Sequence, residues 1–203
     1  MKKQHITKIK LTHVGLLLLR AYHKSIAAHQ ASLAKAATIA SWVSKVREVS
    51  TSMEYPGIDI DARMAFRGDA LEILTEYLMK AMPLNKNAGL LEYKPVPIKE
   101  DYGVDATGVK NGVAVMVQCK FRSNRTDAVH YADLARTFTH GVLRFKMDPA
   151  AKKNLWLVTT ADDANHVSKD VLGKNLHVLG YGFLSKNLDG NQDFWAGLDA
   201  SIN

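Results

Sequence analysis

The sequence predicts an α/β fold in which a mixed central sheet is flanked by helices and preceded by a helical extension. Two observations carry this. From about residue 62 onward the chain reads as helix, three strands, helix, strand, helix, strand, and strands joined through helices run parallel whereas a tight hairpin is antiparallel. Upstream, residues 12–49 hold no proline and repeat apolar side chains at helical spacing. With 203 residues, 47% of them hydrophobic, the chain can bury a full core.

In order, Leu18, Tyr22 and Ile26, then Leu33, Ala36, Ala37, Ala40 and Val43, mark two helices broken near residues 29–32. Trp42 could stack on a nucleic-acid base, but at helical spacing it is expected in the core. The stretch STSMEYPGIDI contains Pro56-Gly57 and serves as a connector, dividing a basic extension (1–55) from a domain (56–203). Asp61 caps the next helix, Ala62 to Met82, whose stripe is Leu71, Leu74, Leu78, Met79 and Met82, with Ile73 and Tyr77 turned toward the extension. LLEYKPVPI, with Pro95 and Pro97, suits a strand at a sheet edge.

The next two runs, Tyr102 to Val109 and Val113 to Phe121, flank Asn111-Gly112, the strongest short hairpin signal. FRSNRTD is then a basic turn, with Thr126 or Asp127 capping a helix to Phe145 that buries Ala132, Leu134, Ala135, Phe138 and Val142. Asn154 to Thr160 is a buried strand, Asp162 or Asp163 opens another helix, and Leu176 to Leu184 forms a last strand. The tail GNQDFWAGL reads as a closing helix with Phe194 and Trp195 on the core.

Charge narrows the function classes. Residues 1–50 carry nine Lys/Arg against Glu48 alone, while the remainder carries eighteen basic residues against nineteen acidic ones. A basic segment on a near-neutral domain points to a polyanion, most often nucleic acid, or to a solvated helical face. One cysteine excludes an internal disulfide and a Cys-based zinc site and fits a reducing compartment, so the expected location is cytoplasmic. No apolar run reaches the ~18 residues of a membrane span. Phosphate-loop, dinucleotide-binding and GxSxG patterns are absent, and no small-molecule cofactor is expected. His5, His13, His23 and His29 lack metal-ligand spacing with carboxylates and are taken as surface or hydrogen-bonded residues.

The hairpin carries the candidate chemistry. If Asn111 and Gly112 are its loop, Lys110 faces Val113 and, counting back in step, Asp105 faces Gln118. Lys120 shares the face of Gln118 because side chains alternate, and Gly103 opposite would leave it room. The other face is apolar: Val113, Val115, Val117, Cys119 and Phe121. Ala114 and Met116 extend apolar cover to both faces until Gln118.

Three pieces in sequence, Gly68-Asp69-Ala70-Leu71-Glu72, Gly103-Val104-Asp105 and Gln118-Cys119-Lys120, together with the later LWLVTT, resemble the PD-(D/E)xK nuclease superfamily, and in particular its Mrr-like branch with a QxK motif. The resemblance spans about residues 62 to 185 and implies a restriction-endonuclease-like core. It implies a Mg²⁺-dependent DNA endonuclease, with Mn²⁺ as substitute. Asp105 would be the central metal ligand, and Glu72 a second carboxylate in preference to Glu76. Gln118 stands where the family more often has an acid, so the strand brings one charge fewer; its side-chain carbonyl and the backbone carbonyl of Cys119 are further ligand candidates. Lys120 would orient the attacking water and offset charge on the phosphate. Lys2, Lys3, Lys8, Lys10, Arg122 and Arg125 are the candidate DNA-backbone contacts, while Thr159 and Thr160 end a strand where they could touch phosphate.

Members of this superfamily include restriction enzymes, homing-type endonucleases, junction resolvases and helicase-linked nuclease modules. A freestanding chain with a basic arm fits a mobile-element or phage nuclease, and a homodimer is possible. Two alternatives stay open: a DNA-binding or recruitment module with a vestigial nuclease fold, and a helix-mediated protein-interaction subunit.

Overall fold

The structure is a computed structural model that describes residues 8–28, 33–51, 60–82, 89–97, 100, 102–162 and 173–203. It is α/β, with five strands in the order β1-β2-β3-β4-β5: Leu91–Pro95, Ala106–Lys110, Val113–Lys120, Leu155–Thr159 and Leu176–Leu179. The first three pair antiparallel and the last three parallel. The helices are α1 (Leu16–Ala28), α2 (Ile39–Thr51), α3 (Ile60–Ala81), α4 (Tyr131–Phe145), α5 (Tyr181–Leu188) and α6 (Gln192–Ile202), with a 3-10 turn at Leu33–Lys35.

The Asn-Gly hairpin forms in the expected register, Lys110 opposite Val113 and Ala106 opposite Val117. Asn111 and Gly112 both take positive φ, 51° and 77°, as a two-residue turn of this hand requires. Strand β2 starts only at Ala106, because Tyr102 and Gly103 have left the ladder with φ of 41° and 90°. Gly103 therefore makes no room for Lys120: a Cβ there would meet Arg136 of α4 and the Gln118 side chain. Val113 and Ala114 are exposed, so the two-sided cover of β3 begins at Val115. Strand β1 is an edge strand, irregular between Leu91 and Lys94 where Glu92 takes φ 52°, in keeping with its prolines.

One face of the sheet, through Val115, Val117, Cys119, Trp156 and Val158, joins α1, α2, α3, α5 and α6 in a single apolar core. The other face, through Met116, Leu155 and Leu157, packs under α4 by Leu134. Helix α3 runs between the sheet and the other helices of its layer, which is why residues 70–79 are buried all round with the exception of Glu72. Ile73 and Tyr77 are fully covered, and Tyr77 meets Phe194 edge-on at 5.1 Å. Trp42 is core and lies 6.3 Å from Phe121. Phe194 and Trp195 also pack inward.

Helix boundaries also differ from expectation: α3 begins at Ile60, so Asp61 lies within it rather than at its cap. Helix α4 starts at Tyr131, because the Asp127 carboxylate instead accepts the backbone N–H of Asn124. Its buried line is Leu134, Thr137 and Gly141, with Ala132 exposed. The last strand stops at Leu179: the Tyr181 N–H turns to the Ala161 carbonyl, and Leu184 and Leu188, one turn apart, become the buried side of α5. The helix expected after Asp162 and the break at residues 29–32 lie outside the described residues, as does most of the connector. Among the described residues no helix is long and apolar enough to cross a membrane.

Candidate active site

A cleft of about 830 Å³ opens at the C-terminal end of β3 and is lined by Glu72, Asp105, Gln118, Cys119 and Lys120, together with Arg67, Gly68 and Arg122. Such crevices at strand ends are where open α/β sheets hold ligands. The hairpin supplies Asp105, Gln118 and Lys120, and α3 supplies Glu72. A Cβ on Gly68 would touch nothing, so the missing side chain leaves the cleft open beside Glu72.

Asp105, 8% exposed, accepts two hydrogen bonds on Oδ2 at 2.5 Å, one from the Cys119 backbone N–H and one from Gln118 Nε2. Gln118, 2% exposed, turns its Oε1 to the Thr137 hydroxyl of α4 at 2.5 Å. That hydroxyl also lies 2.5 Å from the Gly103 carbonyl, so one proton is shared among acceptors. Turned end for end, the amide would donate Nε2–H to Thr137, freeing the hydroxyl proton for Gly103, and would set Oε1 beside Asp105. Two oxygens so placed need a cation or a proton between them. Cys119 points its buried thiol at Thr75 of α3, and burial, with Asp105 and Glu72 nearby, pushes that thiol well up. Its backbone carbonyl receives Gln118 Nε2 at 3.3 Å. Lys120 is half-buried, and its ammonium has no hydrogen-bond or ion-pair partner among the described residues.

The two glutamates of α3 have separate roles. Glu76 is fully buried and collects the backbone N–H groups of Thr12 and His13, the Thr12 hydroxyl, and Lys80 Nζ. It straps the segment before α1 onto α3. Glu72 faces the cleft, with Oε2 held by His13 Nε2 at 2.5 Å and no donor to Oε1 among the described residues.

His13 is the neighbour that spacing in the sequence did not reveal. It sits 5% exposed, with Asp69 Oδ1 3.9 Å away. Burial opposes charge on its ring, yet the Glu72 bond and the charges of Glu72, Asp69 and Glu76 outweigh burial and raise its pKa. Burial likewise raises Asp69. The Gly15 N–H nevertheless donates to His13 Nδ1 at 2.9 Å, and protonating that nitrogen would oppose two donors. The hydrogen-bond geometry thus favours the neutral ring with its proton on Nε2, against the pull of the acids. The ligand atoms of His13, Asp69 and Glu72 lie within 4.8 Å of one another, close enough to share a cation. With Nδ1 taken by Gly15, however, Nε2 must keep its proton, so the ring suits a clamp on Glu72 better than a metal bond.

The remaining candidates are placed as follows. Arg122 spends its guanidinium on the Ala128 and Phe121 carbonyls and on Asp133. Arg125 pairs with Asp162 and lies 4.1 Å over the Tyr181 ring. Both brace loops. The Thr159 hydroxyl donates to the Lys120 carbonyl, and the Thr160 hydroxyl bonds the N–H and carbonyl of Arg122, so the two threonines fix the end of β3. Lys8 and Lys10 are exposed, while Lys2 and Lys3 lie outside the described residues.

No family model, no curated protein and no solved structure matches this chain.

Proposed function

We propose that the protein is a metal-dependent DNA endonuclease with a restriction-endonuclease-like core, hydrolysing phosphodiester bonds in this cleft. The observation that supports it most is convergence. Two carboxylates, an amide and an ammonium from three separate stretches of chain line one opening, in the hairpin register that the PD-(D/E)xK resemblance requires.

The donor set fits a hard cation such as Mg²⁺ or Mn²⁺, because Asp105, Glu72 and the Cys119 carbonyl offer oxygen and the only thiol faces away. Gln118 would join by turning its amide, a change Thr137 can accommodate by exchanging a donated bond for an accepted one. Such an ion would supply charge neutralisation at the phosphate and acidify water. The chain's own groups do the rest. Asp105 and Glu72 set the negative wall of the cleft, His13 holds Glu72 in one orientation, and Lys120 orients water and offsets phosphate charge. DNA would be the partner and the basic N-terminal stretch an additional grip.

The test is incubation of the purified protein with supercoiled and linear DNA in Mg²⁺, Mn²⁺ or EDTA. Wild type should nick or cut only with metal, and Asp105→Asn and Lys120→Ala should each lose at least ~100-fold in rate. Cleavage that survives both substitutions removes the site. A second reading, a DNA-binding module without catalysis, is favoured by one detail: the Gln118 amide and the Cys119 N–H both donate to Asp105 Oδ2, an oxygen a metal ligand would have to offer. Binding without cutting under every metal condition would select it.

A further inference from the structure

We propose that Arg47 and Arg67, which meet at Ser123 at the mouth of the cleft, and Arg63, one helical turn before Arg67, form a clamp for the sugar-phosphate backbone of nucleic acid. This rests on the nuclease reading of the cleft and says where the strand beyond the scissile bond would lie. Arg67 of α3 lines the cleft, its Nε held by Ser50 at 2.7 Å and its Nη1 reaching the Ser123 hydroxyl at 3.3 Å. Arg47 of α2 approaches the Ser123 carbonyl from its own side, Nη1 at 3.5 Å. Arg63 stands one helical turn before Arg67 and makes no hydrogen bond or ion pair with any described residue.

None of the three meets a carboxylate among the described residues, in contrast to Arg122 with Asp133 and Arg125 with Asp162. Burial, then the charges of Arg47 and Arg63, push the Arg67 pKa down, as expected of cations crowded without an anion. The fold has therefore collected like charges at one place, where no carboxylate among the described residues pairs with them. Planar guanidinium forks match phosphate oxygens in pairs. Lys120 continues the positive strip inward to Asp105 and Glu72, so a strand lying on the arginines would run into the acids.

The experiment is fluorescence anisotropy of a labelled random-sequence DNA duplex in EDTA across a salt series. It compares wild type, Arg63→Ala, the triple variant R47A/R63A/R67A, and a control, K152A/K153A/K174A, that removes equal charge near the opposite ends of β4 and β5. Each lost phosphate contact should flatten the log-log salt slope by about 0.9. Arg63→Ala should lose about one such step and the triple variant two to three, with affinity at least ~10-fold weaker, while the control keeps the wild-type slope. Arg63→Ala removes a side chain with no bond to any described residue, so it separates loss of grip from loss of fold. The clamp is overturned if the triple variant binds with the wild-type slope, or if the control loses as much. Asp105→Asn separates the two proposals. Binding with the normal slope but no cutting supports both. Clamp variants that bind and cut like wild type sink the clamp alone, and a wild type that never cuts while the clamp variants lose slope sinks the nuclease alone.

Discussion

Asp105 and Gln118 meet because one turn, Asn111-Gly112, sets the register of both strands. An amide opposite the acid lets the pair close without a cation; a second acid would not. Gln118→Glu would place two carboxylates at hydrogen-bond distance, where like charges strongly disfavour joint ionisation. The variant should melt well below wild type in EDTA and recover on adding Mg²⁺, with a larger metal-induced rise in Tm than wild type shows. Equal melting temperatures in EDTA would mean that the close approach is not maintained in solution. The contact partner of Gln118 on α4, Thr137, lies 19 residues away, and nothing in local spacing marks it.

Helix α3 joins the cleft to the N-terminal segment through two glutamates one turn apart. Glu76 receives its donors from residues 12, 13 and 80, and a fully buried carboxylate of this kind is tolerable only when so satisfied. Glu76→Ala leaves the Thr12 and His13 N–H groups without their acceptor and should cost about 2–4 kcal/mol. It should also release His13 from Glu72. Urea unfolding and protease digestion would read both effects, with cleavage appearing among residues 8–13. A loss below ~1 kcal/mol with unchanged digestion would show the strap to be unimportant. The off-stripe Ile73 and Tyr77 of α3 point to cover from the N-terminal extension, but apolar spacing cannot report that Phe194, from the other end of the chain, packs on the same side.

The N-terminal helices, the sheet and α5 and α6 share one core, so basic residues far apart in sequence end up around one opening. In the sequence Arg47 is only one charge in a basic stretch, and Arg63 and Arg67 carry no local signal that sets them apart. The same packing buries His23 against Asp199, 3.3 Å away. Burial lowers the His23 pKa below 6.5, Lys35 adds to this, and Asp199 opposes it. A histidine more basic when unfolded takes up protons on unfolding. Its contribution is therefore intact above pH 6.5 and falls away as acidification proceeds from there toward the lowered value. Denaturant melts from about pH 8 to about pH 5 should show wild type losing stability over that window and His23→Gln losing less. Parallel curves would put the ring in a different environment.

The hairpin register, the edge position of β1, the apolar layers and the α/β order follow from the sequence alone, because each is set by neighbours within a few residues or by a strict period. Asn-Gly dictates a turn, prolines prevent pairing on one side, and alternation assigns faces. What turns Glu76 away from the cleft, which histidine clamps Glu72, and which arginines meet no carboxylate among the described residues were decided only by the tertiary structure. Those relations join residues 13, 47, 72, 105 and 137, brought together by packing across the whole chain, and no local rule relates positions that meet only after the core has closed.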